Sequence, residues 1–156
     1  MTVVQPPIFS ADLVNARPRP RTAPAALNLL ESAHGYLRDA VDASDPDLRY
    51  INAHMAALRA GAAIVAHRSG PSARPVRGRA LRSVWELLEE NAPELREWAG
   101  FFAAGAAKRA AAEAHLPDAV SRAEADELIR DARTFVNVAR AILGATSGGT
   151  ALRRAG

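Results

Sequence analysis

The stretch that decides the fold is Ser83–Ala114, SVWELLEENAPELREWAGFFAAGAAKRAAAEA. It contains both tryptophans, two of the four phenylalanines and the only lysine of the chain. Ser83 and Glu86 have the spacing of a capping box, and Asn91 with Pro93 marks a second helix start. The stretch therefore predicts a short helix followed by a long helix, which extends to about residue 115.

Three further long helices are predicted around this stretch. They cover about residues 24–41, 46–67 and 121–144, and each begins at a proline or at a Ser or Asp cap. Their apolar residues recur at helical spacing, and the chain shows no alternation typical of strands. In the second helix the predicted core-facing positions are Leu48, Ile51, Met55, Leu58, Ala62 and Val65.

Four long helices and one short helix, joined mostly by short turns, predict an all-α fold, an antiparallel up-down helical bundle. The expected domain covers residues 24–144. It follows a disordered Pro/Arg arm at residues 1–23 and precedes a disordered tail at residues 145–156. The expected core contains Met55, Leu58, Trp98, Phe102, Leu128 and Phe135.

The composition excludes several classes of function. The 156 residues contain no cysteine, which excludes disulfides, thiolate nucleophiles and cysteine-based zinc sites. No apolar run is long enough for a membrane span, and the first residues lack the pattern of a signal peptide. We therefore expect a cytoplasmic protein that has no membrane partner, no metal and no cofactor.

Three strings of this sequence are similar to a known family. RYINAHMAALRAGAAIVA (Arg49–Ala66), the stretch quoted above, and EADELIRDARTF (Glu124–Phe135) resemble a small actinobacterial family of HEPN-domain proteins. The resemblance implies a HEPN-like bundle of four to five helices that often forms homodimers. Many HEPN domains are metal-independent ribonucleases with an R-x4-6-H signature, and others bind nucleotides or protein partners without catalysis.

Two places fit that signature. Arg49 and His54 have the spacing R-x4-H on the second helix, and Arg109 and His115 have the spacing R-x5-H at the end of the fourth. In active members the histidine is expected to handle a proton and the arginine to hold the scissile phosphate. The resemblance therefore makes Arg49 and His54 the first candidate catalytic pair, and Arg109 and His115 the alternative.

The same residues also have structural interpretations. At about 100° per residue, positions five apart lie about 140° from each other around the helix axis, so Arg49 and His54 do not share a helix face. His54 is then a boundary histidine packed against a neighbouring helix, and Arg49 pairs with acids at the helix cap, Asp45 or Asp47. Arg109 falls on the core-facing line, so it is either buried with a carboxylate partner or extends its charged end to solvent along an apolar stem. The candidates for that partner are Glu113, Asp126 and Glu127.

The arginines are concentrated between the predicted helices. The loop of residues 68–82 contains five arginines and no acid, and the arm and tail add five more. In an up-down bundle these segments gather at one pole, opposite Arg49. We expect any RNA or other polyanion to bind there. The nucleic-acid-binding candidates are Arg68, Arg74, Arg77, Arg79 and Arg82.

Three functions remain open at this point. The favoured one is a HEPN-like binding or regulatory module that acts on nucleic acid, a nucleotide or a protein partner. The second is a metal-independent HEPN ribonuclease that uses an Arg-x4-His pair. The third is a purely structural interaction bundle.

Overall fold

A computed structural model describes residues 22–70 and 83–147, with only the backbone for the last three of them. These residues form six α-helices and one 3-10 turn, and no strand occurs among them. The helices are α1 (Pro24–Asp42), α2 (Pro46–Ser69), α3 (Val84–Asn91), α4 (Arg96–Ala104), α5 (Ala106–Glu113) and α6 (Arg122–Ser147). The predicted all-α, HEPN-like fold class is confirmed.

The central element of the bundle is α2, which packs against α1, α6 and the α3–α5 segment. At one pole, the Thr22 hydroxyl before α1 donates a hydrogen bond to the carbonyl of Leu143 in α6, at 3.1 Å. At the other pole, the end of α1 and the starts of α2 and α6 meet around Arg49. Residues 1–21 and 148–156, which make up most of the predicted arm and tail, lie outside the described residues.

The helix starts follow their predicted caps. Asp45 accepts from the backbone N–H of Leu48 at 3.2 Å. Ser121 and Glu124 form a complete capping box, with the two reciprocal hydrogen bonds at 3.1 and 3.0 Å. Each cap supplies an acceptor for N–H groups that the first turn leaves unpaired, which fixes where the helix begins.

The predicted fourth helix is not continuous. It begins with a 3-10 turn at Pro93–Leu95, and α4 ends at Ala104, so that Gly105 separates it from α5. The N–H of Gly105 donates to the carbonyl of Phe102 at 3.0 Å, a tightened turn of the 3-10 type. The pattern of apolar residues does not contain this break, because both segments keep helical spacing across it.

The predicted core-facing line of α2 is wrong. Leu48 is 48% exposed, and the other large residues of that line are only partly buried. The buried residues are instead mostly small, with Tyr50, His54 and Ile64 as the exceptions, because α2 is surrounded by helices on several sides and close approach leaves little room. At Gly61 an added Cβ would lie 3.0 Å from the indole of Trp85. The fully buried small residues of α2 are Ala53, Ala56, Ala57, Ala60, Gly61 and Ala63.

Aromatic rings fill the centre of the bundle. Phe102 and Phe135 are fully buried with ring centroids 5.1 Å apart, and Trp85 stacks on Phe102 at 5.2 Å. Leu128 is also buried, which confirms three of the six predicted core residues. Trp98 lies at the edge of the cluster, partly buried, and stacks on Phe102 at 5.7 Å. Met55 and Leu58 are likewise only partly buried.

Within the described ranges, no helix combines the length and the apolar character that a membrane span requires.

Candidate functional site

The guanidinium of Arg49 joins three helices. Its Nη1 donates to the carbonyls of Ala40, Val41 and Ala43 at the end of α1, at 3.2, 2.9 and 2.8 Å. Its Nε and Nη2 donate to Oδ1 of Asp126 at the start of α6, at 3.3 and 2.9 Å. The side chain is only 14% exposed. All these bonds tie helix ends together, at one pole of the bundle.

This arrangement explains why an arginine stands at the start of α2. The last carbonyls of α1 have no partner within their own helix and carry the negative end of its dipole. A planar cation with several N–H groups satisfies three of them while its other edge pairs with a carboxylate. The predicted pairing of Arg49 with Asp45 or Asp47 is wrong, since Asp126 is the partner and Asp45 caps α2.

His54 lies in the aromatic core. It is 1% exposed, and its ring meets Trp85 and Phe102 edge-on, with centroids 6.3 and 6.5 Å away. Its Nε2 lies 2.9 Å from the carbonyl oxygen of Phe102, and its Nδ1 lies 3.3 Å from Nη1 of Arg109. Both ring nitrogens are therefore engaged by protein atoms.

These partners define the protonation state of His54. A carbonyl oxygen can only accept, so Nε2 carries the proton, and Nδ1 accepts from the guanidinium of Arg109. Burial lowers the pKa of His54, and the positive charge of Arg109 lowers it further, although the carbonyl of Phe102 acts in the opposite direction. The ring is thus neutral near neutral pH, with its tautomer fixed.

Arg109 connects α5 to this buried ring. Besides His54, its Nη1 contacts Sδ of Met55 at 3.5 Å, and its Nε lies 3.4 Å from Oε1 of Glu113 one turn later. The Nε contact has the distance of an ion pair but not the geometry of a hydrogen bond. The expectation that Arg109 sits near the core beside a carboxylate is confirmed, with Glu113 as the partner.

Gly105 makes the approach of α4 and α5 to α2 close enough for these contacts. An added Cβ at this position would lie 3.1 Å from the hydroxyl of Tyr50 and 3.3 Å from Cδ2 of His54. The break in the helix also lets the Phe102 carbonyl receive the His54 ring, since side chains inserted into the hydrogen-bond ladder are a common cause of kinks. The kink and the buried histidine form one structural unit.

Neither predicted catalytic pair is joined by a hydrogen bond within the described residues. Arg49 binds the ends of α1 and α6, and His54 binds α4 and α5. His115 lies in an exposed turn after α5 with a φ of 55°, and its backbone N–H donates to Ala112. The arginine that does contact His54 is Arg109, a combination that mixes the two predicted pairs. The catalytic role of these residues stays a prediction.

Of the five nucleic-acid-binding candidates, only Arg68 is among the described residues. It pairs with Glu94 at 2.6 Å and donates to the carbonyl of Asn91 at 3.3 Å. These contacts hold the end of α2 against the start of the α4 segment. The other four candidates, Arg74, Arg77, Arg79 and Arg82, lie outside the described residues.

No group of three or more His, Asp or Glu side chains in the described part of the chain is arranged to hold a metal ion.

Sequence reasoning missed the Arg109–His54 contact because the two residues are 55 positions apart. One signal for it was present in the sequence. Gly105 lies among alanines four residues before Arg109, and a glycine inside a helical pattern often marks a break or a close approach. A break there changes the direction of the Arg109 side chain relative to α4. Only the three-dimensional packing shows which residue this side chain contacts.

The resemblance implied an all-α, HEPN-like helical bundle, and the described residues form one. The SAV_6107-like HEPN family model matches residues 40–140, which is more than half of the chain. The protein therefore belongs to this HEPN family. Comparisons with curated proteins and with solved structures gave no match.

Proposed function

We propose that this HEPN domain is a binding module that acts through association with another molecule, not through cleavage of RNA by Arg49 and His54. The observation that carries the proposal is the state of His54. Its ring is 1% exposed, and both nitrogens are bound by protein atoms. A general base must come within hydrogen-bond reach of the proton it abstracts, and this ring leaves no nitrogen for a substrate.

The environment of Arg49 supports the same proposal. A phosphate-binding arginine has to offer N–H groups to the ligand. The N–H groups of Arg49 already serve three backbone carbonyls and the carboxylate of Asp126. A phosphate at this position would have to displace Asp126 and leave the end of α1 without its cap.

The charge distribution supports a polyanion, such as RNA, as the associating molecule. The described residues hold 16 of the 17 acidic residues but only 11 of the 20 basic ones, which gives them a formal net charge of −5. The remaining 42 residues contain nine arginines and one acid, which gives them a formal net charge of +8. Contacts between arginines and phosphates release counterions and need no particular base sequence.

One observation favours a ribonuclease as the second candidate. Arg109 and His54 bring a guanidinium and an imidazole within 3.3 Å of each other, and these are the two side-chain types that the R-x4-6-H signature of HEPN ribonucleases combines. Such a reaction needs α4 and α5 to separate from α2 at Gly105, because the ring is otherwise enclosed.

A single experiment separates these functions. The purified chain is incubated with labelled single-stranded RNA in chelator, and binding and cleavage are measured in the same samples over a range of salt concentrations. We expect binding that weakens with salt, with a slope of about −0.7 per phosphate neutralised, and no cleavage above background. Replacement of Arg74, Arg77 and Arg79 by serine should reduce both the affinity and the slope.

The matched control is the variant with Arg122, Arg130 and Arg133 of α6 replaced by serine, which loses the same charge at exposed positions of the body. It should bind RNA more tightly than the loop variant. Chelator-resistant cleavage that disappears in both His54→Gln and Arg109→Gln, with the helical content unchanged, would establish the ribonuclease instead. Equal binding by the two triple variants would contradict a binding role for the loop.

A further inference from the structure

An apolar groove opens at the pole of the bundle where the chain enters α1. It lies between the start of α1, the end of α2 and the start of α3, and its volume is about 490 Å³. This volume falls within the range typical of sites that hold a bound molecule. The walls of the groove include Ala23, Pro24, Ala62, Val65, Val84 and Leu87.

The contact between α2 and α3 creates the groove. Gly61 lets α3 approach closely, since an added Cβ there would lie 3.0 Å from the indole of Trp85 and 3.2 Å from Cγ1 of Val84. Beside this contact the α2 wall residues Ala62 and Ala66 carry only methyl groups, which leaves open space between the helices. No side chain of the described residues fills that space.

The groove offers an occupant apolar surface and no free polar side chain. Ser69 is the only wall residue of the described part of the chain with a polar side chain, and its hydroxyl donates to Oδ1 of Asn91 at 3.2 Å. Val65, Val84 and Leu87 are only partly buried. Because burial of their remaining apolar surface is favourable, the groove favours an apolar occupant.

The segment that precedes α1 begins at the groove itself. Ala23 and Pro24 are wall residues, and 21 residues of the chain precede Thr22. Eight residues lead from Val14 to Thr22 and span up to about 29 Å when extended, which is enough for the chain to turn back into the groove. A segment tethered in this way has an effective concentration on the order of millimolar.

The composition of this segment matches the groove. Residues 8–14, IFSADLV, place four large apolar side chains in seven positions, and Phe9 is the one phenylalanine that lies outside the described residues. The other undescribed segments contribute only Val76, Leu81 and Leu152 as large apolar residues, and an arginine follows each of these three directly. Residues 8–14 are therefore the best apolar match that the chain itself offers.

We propose that residues 8–14 of the same chain occupy this groove and bury the side chains of Phe9 and Leu13 in it. The tether favours the chain's own segment over that of a second copy at protein concentrations below the effective concentration. Docking also ties both ends of the basic run Arg17, Arg19 and Arg21 to the pole where residue 70 leaves the body and residue 83 returns. The three arginines then lie beside the arginine-rich loop.

The test uses the absence of cysteine from the natural sequence. Ala11→Cys/Ala66→Cys places one thiol in the segment and one at the groove wall, and a disulfide forms only when the two positions come close together. The rate of its formation in a glutathione redox buffer is followed on non-reducing gels. We expect a bond within one chain that forms at least about tenfold more slowly when Phe9→Ser/Leu13→Ser is added, because the burial of both side chains is lost.

The matched control adds Val3→Ser/Val4→Ser to the same pair of cysteine substitutions and should stay within about twofold of the parent rate. Both serine pairs keep the length of the tether, and both lie outside the helical body, so the fold does not depend on them. Equal rates with and without Phe9→Ser/Leu13→Ser would mean that the tether alone brings the thiols together, and they would overturn the proposal. Bonds formed mainly between two chains would assign the groove to a second copy and overturn it as well.

A dye that binds apolar surface tests the cysteine-free chain. We expect 1-anilinonaphthalene-8-sulfonate to fluoresce about threefold more strongly with Phe9→Ser/Leu13→Ser than with wild type, because the groove is then open to the dye. Val3→Ser/Val4→Ser should give the wild-type signal. The same strong fluorescence with wild type and with Phe9→Ser/Leu13→Ser would show a groove that stays open for a different molecule, which would contradict docking of residues 8–14.

Discussion

Arg49 and His54 stand five residues apart on the same helix, yet their surroundings have almost nothing in common. Arg49 lies at the pole of the bundle, where its hydrogen bonds go to helix ends and to one carboxylate. His54 lies among aromatic rings, where its two nitrogens have one partner each. A sequence signature gives the spacing of two such residues, but it does not determine the chemical surroundings of either one.

The difference follows from where each residue enters α2. Arg49 is in the first turn, where the helix has not yet reached the centre of the bundle. His54 is one turn and a half further on, where α4 and α5 close over the helix at Gly105. Water can replace part of the hydrogen bonding that Arg49 provides, because its partner Asp126 is 39% exposed. No water replaces the partners of His54 without opening the core.

The largest expected effect comes from the aromatic surroundings of His54. Phe102→Ala removes a fully buried ring that contacts Trp85, Trp98 and Phe135, and it should lower the free energy of unfolding by about 3–5 kcal/mol. Chemical denaturation followed by circular dichroism measures it. The neighbouring Phe101→Ala is the control, since that ring is 48% exposed and its loss should cost under about 1 kcal/mol. Similar losses for the two variants would contradict the packing described.

The features that the sequence predicted correctly, the helix caps and the all-α class, depend on residues that are close together in the chain. The caps at Asp45 and at Ser121 with Glu124 form as expected, because each requires only residues within one helical turn. The all-α class follows from periodicity over many residues, and a single break at Gly105 does not alter it.

What the sequence did not predict depends on contacts between distant segments. The core-facing line of α2 was assigned to Leu48, Ile51, Met55, Leu58 and Val65, but the helices around α2 bury mainly its small residues, together with Tyr50, His54 and Ile64. Asp126 as the partner of Arg49 and Arg109 as the partner of His54 are separated from them by 77 and 55 positions. Nothing local specifies such pairs, since every helix carries several charges.

The second-largest expected effect is a loss of stability at the pole of the bundle where Arg49 lies. Arg49→Met removes the cap of α1 and leaves the carboxylate of Asp126 without its cation, while the methionine retains much of the apolar stem. We expect a loss of about 2–3 kcal/mol, measured in the same way. The exposed Arg122→Met on α6 should change stability by no more than about 0.5 kcal/mol.

A double-mutant cycle sharpens this result. If the ion pair matters as described, Asp126→Asn should cost less in the Arg49→Met background than in wild type. Additive effects of the two substitutions would mean that the cost of Arg49→Met comes from the α1 carbonyls alone.

The smallest expected effect is a dependence of stability on pH that arises from His54. Burial holds the pKa of His54 below its ordinary value of 6.5, so the unfolded chain takes up a proton in a range where the folded chain does not. This contribution to stability is therefore fully present above about pH 7 and is lost progressively as the pH falls from 6.5 towards the lower pKa of the folded chain. Thermal melts between about pH 7.5 and 5.5 measure it above the range in which carboxylates titrate.

The variant His54→Gln separates this contribution from the rest. Glutamine can still donate to the Phe102 carbonyl and accept from Arg109, but it does not titrate, so its melting temperature should change less with pH than that of wild type. His34→Gln is the control, because burial also lowers the pKa of His34, though this side chain remains partly exposed. If His54→Gln kept the full pH dependence while His34→Gln lost it, the folded chain would protonate His54 freely. The ring would then be accessible to water, and the argument against a catalytic role for His54 would fail with it.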